Sequence, residues 1–304
     1  MMDALGRSGH QWRERGRPWF MAIRPRTLTL ALSPVIVGTT IAWREGAHID
    51  PVIFATTLLA AVAIQVGTNL YNDAADAGAD ARGRLGPPRV TALGLLPTEK
   101  VRQAAFGAFG LALVLGLWLV TKGGWPILLV GLLSIAAGLA YSGGPRPLSH
   151  TPLGELFVVL FFGLAGTAGS CWLQAHALSW RAMVAGLIVG LPAAAVLLVN
   201  NTRDVMQDAA AGRRTLAILL GRRRAVAVYA LLLLAPYGLL VLPWPGFASL
   251  SGRLPWPALI TLPYALWLVW QFRHKPLAQF NLLLVNTAKL QFALSALLAL
   301  ALVQ

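Results

Sequence analysis

The chain predicts an all-α, polytopic membrane protein with nine transmembrane helices, on three observations. Of its 304 residues, 57% are hydrophobic and 12% charged, and the mean hydropathy of +0.66 is too high for an ordinary soluble domain. Nine apolar runs each approach the roughly 20 residues that a helix needs to cross a bilayer. With the amino terminus placed in the cytoplasm, twenty of the twenty-five lysines and arginines fall in the leader and the inside connections, and four fall outside.

Residues 1–19 read as a basic, poorly ordered arm, and 20–304 as a single nine-helix domain. The spans fall at 27–43, 52–71, 101–121, 125–141, 153–173, 182–200, 225–242, 256–272 and 282–303. Only Lys122-Gly123-Gly124 separates the third from the fourth, which implies a tight hairpin. Arg7, Arg13, Arg15 and Arg17 give the first run a signal-like leader, yet the run is too long for a signal peptide and no small-residue cleavage site follows. It is therefore an uncleaved span. Nine crossings put the carboxy terminus outside.

The net charge of +14 sits in the connections between apolar runs, where it sets topology and attracts anionic membrane lipids; nucleic acid is not expected as a partner. The single Cys171 excludes an intrachain disulfide. The five histidines lack metal-ligand spacing, and tryptophans such as Trp19, Trp43, Trp125, Trp172 and Trp180 mark span ends as an interfacial belt.

Two acidic clusters carry the chemistry. The first closes the second span with Gln65, Asn69, Asn72, Asp73, Asp76 and Asp80; the second closes the sixth with Asn200, Asn201, Asp204 and Asp208. At 100° per residue, Gln65, Asn69, Asp73, Asp76 and Asp80 share an arc of about 80°, with Asn72 just beside it. Four spans separate the clusters, so both emerge on one face of the membrane. Each is followed by glycine and arginine: Arg82, Arg84 and Arg89 after the first, Arg213 and Arg214 after the second. Oxygen-only ligands without Cys or His suit Mg²⁺, and guanidinium suits phosphate oxygens. Together they describe a site for a lipid-linked diphosphate at the inner membrane surface.

Asn72-Asp73-x-x-Asp76-x-x-x-Asp80 with Asp204-x-x-x-Asp208 resembles the paired signature of the UbiA superfamily of intramembrane aromatic prenyltransferases. Within it, Arg24-Pro-Arg26-Thr27, Ser33-Pro34, Arg84-Leu-Gly86-Pro-Pro-Arg89, Tyr141-Ser-Gly-Gly-Pro145, Leu153-Gly-Glu155, Asn200-Asn201-x-Arg203-Asp204 and Asn286-Thr-Ala-Lys289 are similar to the 1,4-dihydroxy-2-naphthoate polyprenyltransferase (MenA-like) branch. The Asp76 to Asp80 spacing is the shorter one of the wider superfamily, and Ala74 and Ala75 stand where that branch often has aromatic or polar residues.

The resemblance implies helices around a central cavity, capped on the cytoplasmic side by the two acidic loops and open sideways to lipid, in a bacterial cytoplasmic membrane. It implies Mg²⁺ held by Asn72, Asp73, Asp76, Asp80, Asp204 and Asp208, with Asp73, Asp76, Asp204 and Asp208 catalytic. Arg84, Arg89, Arg214 and Lys289 would bind the diphosphate, and Arg24, Gln65, Asn69, Tyr141 and Asn201 the substrates. The implied reaction joins a polyprenyl diphosphate to 1,4-dihydroxy-2-naphthoate with decarboxylation, on the way to menaquinone. The alternatives are another aromatic acceptor, such as 4-hydroxybenzoate, and an ion transporter. A transporter's acids belong near the midplane without crowding arginines; these lie at span ends beside them.

Overall fold

A computed structural model of the chain describes residues 16–77, 85–242 and 256–303, and all regular structure among them is helical. A short helix over 16–23 leads in. Arg24 then takes a left-handed conformation (φ 55°) ahead of Pro25, whose ring disfavours the right-handed helical region for the residue before it. The chain bends by 45° before α1 (Thr29–Arg44).

Next come α2 (Pro51–Ala75), α3 (Thr98–Gly123) and α4 (Trp125–Ser142). Asp50 caps α2 by accepting from the Val52 and Ile53 amides, and Pro51 occupies the first helical position, where its missing N–H costs nothing. The hairpin between α3 and α4 turns on Gly124 at φ 72°, as the Lys122-Gly123-Gly124 spacing predicts. After it follow α5 (Gly154–Ala175), with a π-helical stretch over Val159–Ala165, then α6 (Trp180–Arg203) and the short α7 (Val205–Ala210). Last are α8 (Leu216–Val241), kinked at Gly221, then α9 (Trp256–Leu259), α10 (Leu262–His274) and α11 (Phe280–Val303).

Among the described residues, seven helices are long and apolar enough to cross a membrane, or eight if the bent pair at 16–27 and Thr29–Arg44 counts as one span. This is a multi-pass integral membrane protein. The differences from nine lie at 27–43, which counts only together with the bent helix before it, and at 256–272, where the apolar run is not one helix. Ile260 and Thr261 form a turn between α9 and α10, and Pro263 enters the first turn of α10 without an amide to donate back across the break. The run expected at 225–242 starts earlier, at Leu216, because Gly221 absorbs the kink with φ 64°.

The helix at the centre is α6, whose most apolar window is 78% buried, against 11% for α4 at the periphery. Small residues make that position possible. A Cβ on Gly163 of α5 would lie 2.5 Å from Gly186 O, and one on Gly190 would lie 2.8 Å from the Gly163 Cα, so the α5 and α6 backbones touch. Leu198, Leu233, Leu268, Leu290, Leu294 and Leu298 pack the core around α6, α8, α10 and α11. Gly163→Leu should destabilise the protein by about 1–3 kcal/mol through overpacking. Gly107→Leu, at a position with open space, should not. Thermal unfolding of the two variants in detergent separates these outcomes.

Candidate active site

The carboxyl-terminal end of α2 carries the first cluster, and its helical phase decides which members face inward. Gln65, Asn69, Asn72 and Asp76 line a cavity of about 350 Å³ together with Asn200, Asn201, Asp204 and Asp208 from α6 and α7. Arg24, Arg89, Tyr141 and Arg213 complete its polar end, and apolar side chains such as Leu119, Ile127 and Leu173 line the far end. The two acidic clusters, more than a hundred residues apart, thus meet at one end of an apolar chamber.

Arg213 joins them. It donates from one nitrogen to Asp76 Oδ1 at 3.2 Å and from another to Asp208 Oδ1 at 3.1 Å, cancelling the repulsion between the carboxylates. Its Nε is buried with no hydrogen-bond partner among the described residues. Arg89, only 2% exposed, donates to Asp76 Oδ2 at 2.6 Å, to Asn72 Oδ1 at 2.8 Å and to the Asn72 carbonyl. Asn72 in turn donates to Ser142 Oγ at 2.7 Å, tying α2 to the end of α4. Arg203 grips Asp204 through two hydrogen bonds of 2.8 and 2.6 Å, and also donates to Asn200 and to Asn281 on α11. Asn281 donates to the Leu85 carbonyl, so the far side of the first loop is anchored as well.

Other residues of the sequence reading take different places. Asp73 does not line the cavity; its carboxylate accepts from the Val90 and Thr91 amides and from the Thr91 hydroxyl, which folds the strap bearing Arg89 back over α2. Arg214 has an exposed side chain, and its amide donates to the His150 carbonyl; Arg213 reaches the acids in its stead. Lys289 is exposed on α11 and absent from the cavity wall, consistent with a long side chain extended along an apolar surface. Asp80 and Arg84 lie outside the described residues, as do positions 1–15 of the expected basic arm. Gln65 donates weakly to Asn69 at 3.5 Å and keeps a buried Oε1 without a partner among the described residues, while Asn69 donates to the Ile23 carbonyl at 2.8 Å.

Sequence reasoning passed over Arg203, Ser142 and Thr91. Glu155 is 4% exposed and accepts from Asn201 Nδ2 at 2.9 Å, which turns the Asn201 amide oxygen away from it. The signal for Arg203 was an arginine inside the last turn of an otherwise apolar helix, where a charge demands a partner.

No group of three His, Cys, Asp or Glu side chains stands ready-made around a metal among the described residues. The donor chemistry nonetheless fits Mg²⁺, which is held by one or two carboxylates, waters and substrate phosphate oxygens. Arg89, Arg203 and Arg213 are matched charge for charge by Asp76, Asp204 and Asp208. A diphosphate entering that set brings several negative charges, more than Arg24 at the same end of the cavity offsets, so added cations would be needed to cancel them.

The model of the UbiA prenyltransferase family matches residues 31–302. The chain belongs to the UbiA prenyltransferase family. Within it, the chain is 35% identical to the 1,4-dihydroxy-2-naphthoate octaprenyltransferase of Escherichia coli (strain K12), over 82% of each protein. It is 35% identical to the enzyme of the same name from Mycobacterium tuberculosis, over 69% of this chain and 72% of that one. Among solved structures, a UbiA homolog from Archaeoglobus fulgidus bound to DMAPP and Mg²⁺ superposes with a TM-score of 0.63 at 16% identity, covering 91% of this chain and 99% of that one. The family fold is therefore shared well beyond the range of close sequence similarity.

Arg203→Ala leaves the buried Asp204 carboxylate without its main partner and should cost about 3–5 kcal/mol of stability, read as a fall in unfolding temperature. His150, between α4 and α5, is pushed below its ordinary value of 6.5 by burial and then by Arg213, with Asp76 opposing. The unfolded chain therefore takes up this proton first as pH falls. Stability should drop as pH descends from above 6.5 towards the lower folded-state value and level off beneath it; His150→Gln should remove that component from a series of melts across pH.

Proposed function

We propose that the chain is an Mg²⁺-dependent polyprenyltransferase that joins a polyprenyl diphosphate to 1,4-dihydroxy-2-naphthoate, with loss of the ring carboxylate, in menaquinone biosynthesis. The observation that carries this reading is the meeting of Asp76, Asp208 and Asp204 with Arg89 and Arg213 at the polar end of an apolar cavity. The enzymes named for that naphthoate, at 35% identity over most of the chain, support the acceptor. They also set aside the short Asp76 to Asp80 spacing as a guide to a different acceptor.

Asn72, Asp76, Asp204 and Asp208 would hold the metal. When bound, Mg²⁺ supplies positive charge to the diphosphate as the allylic carbon–oxygen bond breaks. Arg213, with a spare Nε, and Arg89 face the departing oxygens from either side of Asp76. The carbon–oxygen electron pair leaves on the diphosphate, a ring carbon donates a pair to the allylic carbon, and the carboxylate departs as carbon dioxide, returning its bonding pair to the ring. The apolar wall excludes water that would otherwise capture the allylic cation. Tyr141, and Asn201 held by Glu155, line the cavity and would orient the acceptor.

Each CH₂ withdrawn from water contributes about 0.8 kcal/mol, so a polyprenyl tail stays in the cavity or among lipid chains. The excess of Lys and Arg in the connections supports an inside amino terminus and an inside active site capped by the two acidic loops. It also supports a ninth, broken crossing made by α9 and α10, and hence an outside carboxy terminus.

Purified protein in lipid should form prenylated naphthoquinol only with Mg²⁺ and stop when it is chelated. Preference for 4-hydroxybenzoate in an acceptor panel would overturn the acceptor assignment. Arg213→Ala should lower kcat/KM by about 10²-fold or more, and Arg214→Ala by far less. Equal losses in steady-state assays would refute the placement of Arg213 at the diphosphate.

A further inference from the structure

A second cavity, of about 360 Å³, lies outside the acid-lined one, where the ends of α6, α7, α8 and α10 converge ahead of α11. Its wall includes Thr202, Arg222, Arg273 and Lys275, and no acidic residue among the described ones lines it. Asp204, the nearest acid in sequence, has both carboxylate oxygens engaged by Arg203. The pocket therefore carries uncompensated positive charge.

Arg222 is fixed in place. Its Nη2 donates to the Phe272 carbonyl and, at 3.0 Å, to the Lys275 carbonyl, closing the carboxyl-terminal end of α10. The guanidinium also stacks 5.1 Å from the Phe272 ring centre and 4.6 Å from that of Phe280. Those contacts occupy one side of the fork; Nη1 is buried with no partner among the described residues. Thr202, 3% exposed, has a buried hydroxyl that likewise lacks a partner among them. Two orphaned donors and two further cations on one wall call for an anion with several acceptor oxygens, since a buried donor left unmet is costly.

The level of the pocket identifies that anion. It lies where long apolar helices end; Trp270, three residues before Arg273 on α10, Leu219, three before Arg222 on α8, and Leu282 near the start of α11 are 53%, 49% and 66% exposed, as side chains facing lipid or the interface are. Basic pockets between helices on the cytoplasmic side of a membrane take phosphate-bearing headgroups. We propose that Thr202, Arg222, Arg273 and Lys275 form a binding site for the phosphate of an anionic phospholipid headgroup, separate from the diphosphate site. Free phosphate or diphosphate shares that chemistry but has no acyl chains to engage the exposed Trp270 and Leu282.

The test uses the full chain, delipidated and returned to nanodiscs of phosphatidylcholine with or without phosphatidylglycerol, followed by native mass spectrometry. Wild-type protein should retain phosphatidylglycerol against collisional activation, and Arg273→Ala/Lys275→Ala should weaken that retention by about tenfold or more. Arg222 is left intact because it closes α10. Thr202→Val should weaken retention by a smaller factor and serves alone if the double variant folds poorly. Undiminished retention in every variant that folds overturns the site. Protection of wild-type protein by inorganic phosphate or diphosphate in neutral discs, equal to that given by phosphatidylglycerol, overturns the lipid assignment. The readout is lipid binding rather than turnover, so a negative result here leaves the transferase reading standing.

Discussion

Burying carboxylates beside a membrane core is the constraint on which the architecture of this enzyme turns. Desolvating an ion costs several kcal/mol even after relaxation, so each acid needs a partner of good geometry. Asp76 meets Arg89 and Arg213, Asp208 meets Arg213, and Asp204 meets Arg203. Because Arg213 serves Asp76 across 137 residues of sequence, the pairing holds the α7–α8 connection against the end of α2. The Arg203 to Asn281 to Leu85 chain draws the start of α11 and the first loop to the same place. Charge satisfaction and closure of the site are one event.

That convergence depends on how closely helices pack deeper in the bilayer. In lipid, association rests on van der Waals contact and small residues rather than on the hydrophobic effect. Gly163, Gly186 and Gly190 let α5 and α6 meet backbone to backbone, and Gly38 brings α1 within reach of the Thr167 carbonyl. With α6 seated at the centre, its last turn delivers Asn200, Asn201 and Asp204 into the chamber, while the less buried α3 and α4 form the wall with most lipid exposure. Packing on one side and an apolar chamber on the other are what a reactive allylic intermediate requires.

Much of the cavity's polar lining was legible from helical phase, and the exceptions are informative. Asn72, Gln65, Asp76 and Asn69 lie within about 60° of one another and all face the cavity; Asp73, some 40° further round, turns instead to the 90–91 strap. An arc wide enough to collect every polar residue was wider than the cavity mouth. Seven of the spans were legible from hydropathy; 27–43 qualifies only with the bent helix before it, and at 256–272 composition alone does not register that Pro263 and a turn divide the run. Glu155 finds its partner, Asn201, 46 residues away on another helix, which no local spacing identifies.

Membrane class, the number of apolar runs, the common face of the two acidic clusters and the family signature were determined by the sequence by itself, because hydropathy, helical period and motif spacing are local properties of the chain. Only the tertiary structure decided that Arg213 rather than Arg214 enters the site, that Asp73 supports a strap while Asp76 faces the cavity, and that Lys289 points away. Adjacent residues on a turn are equivalent in a local reading. Which of them is buried depends on the distant helix packed against it, and the cost of an unpaired buried charge makes that choice.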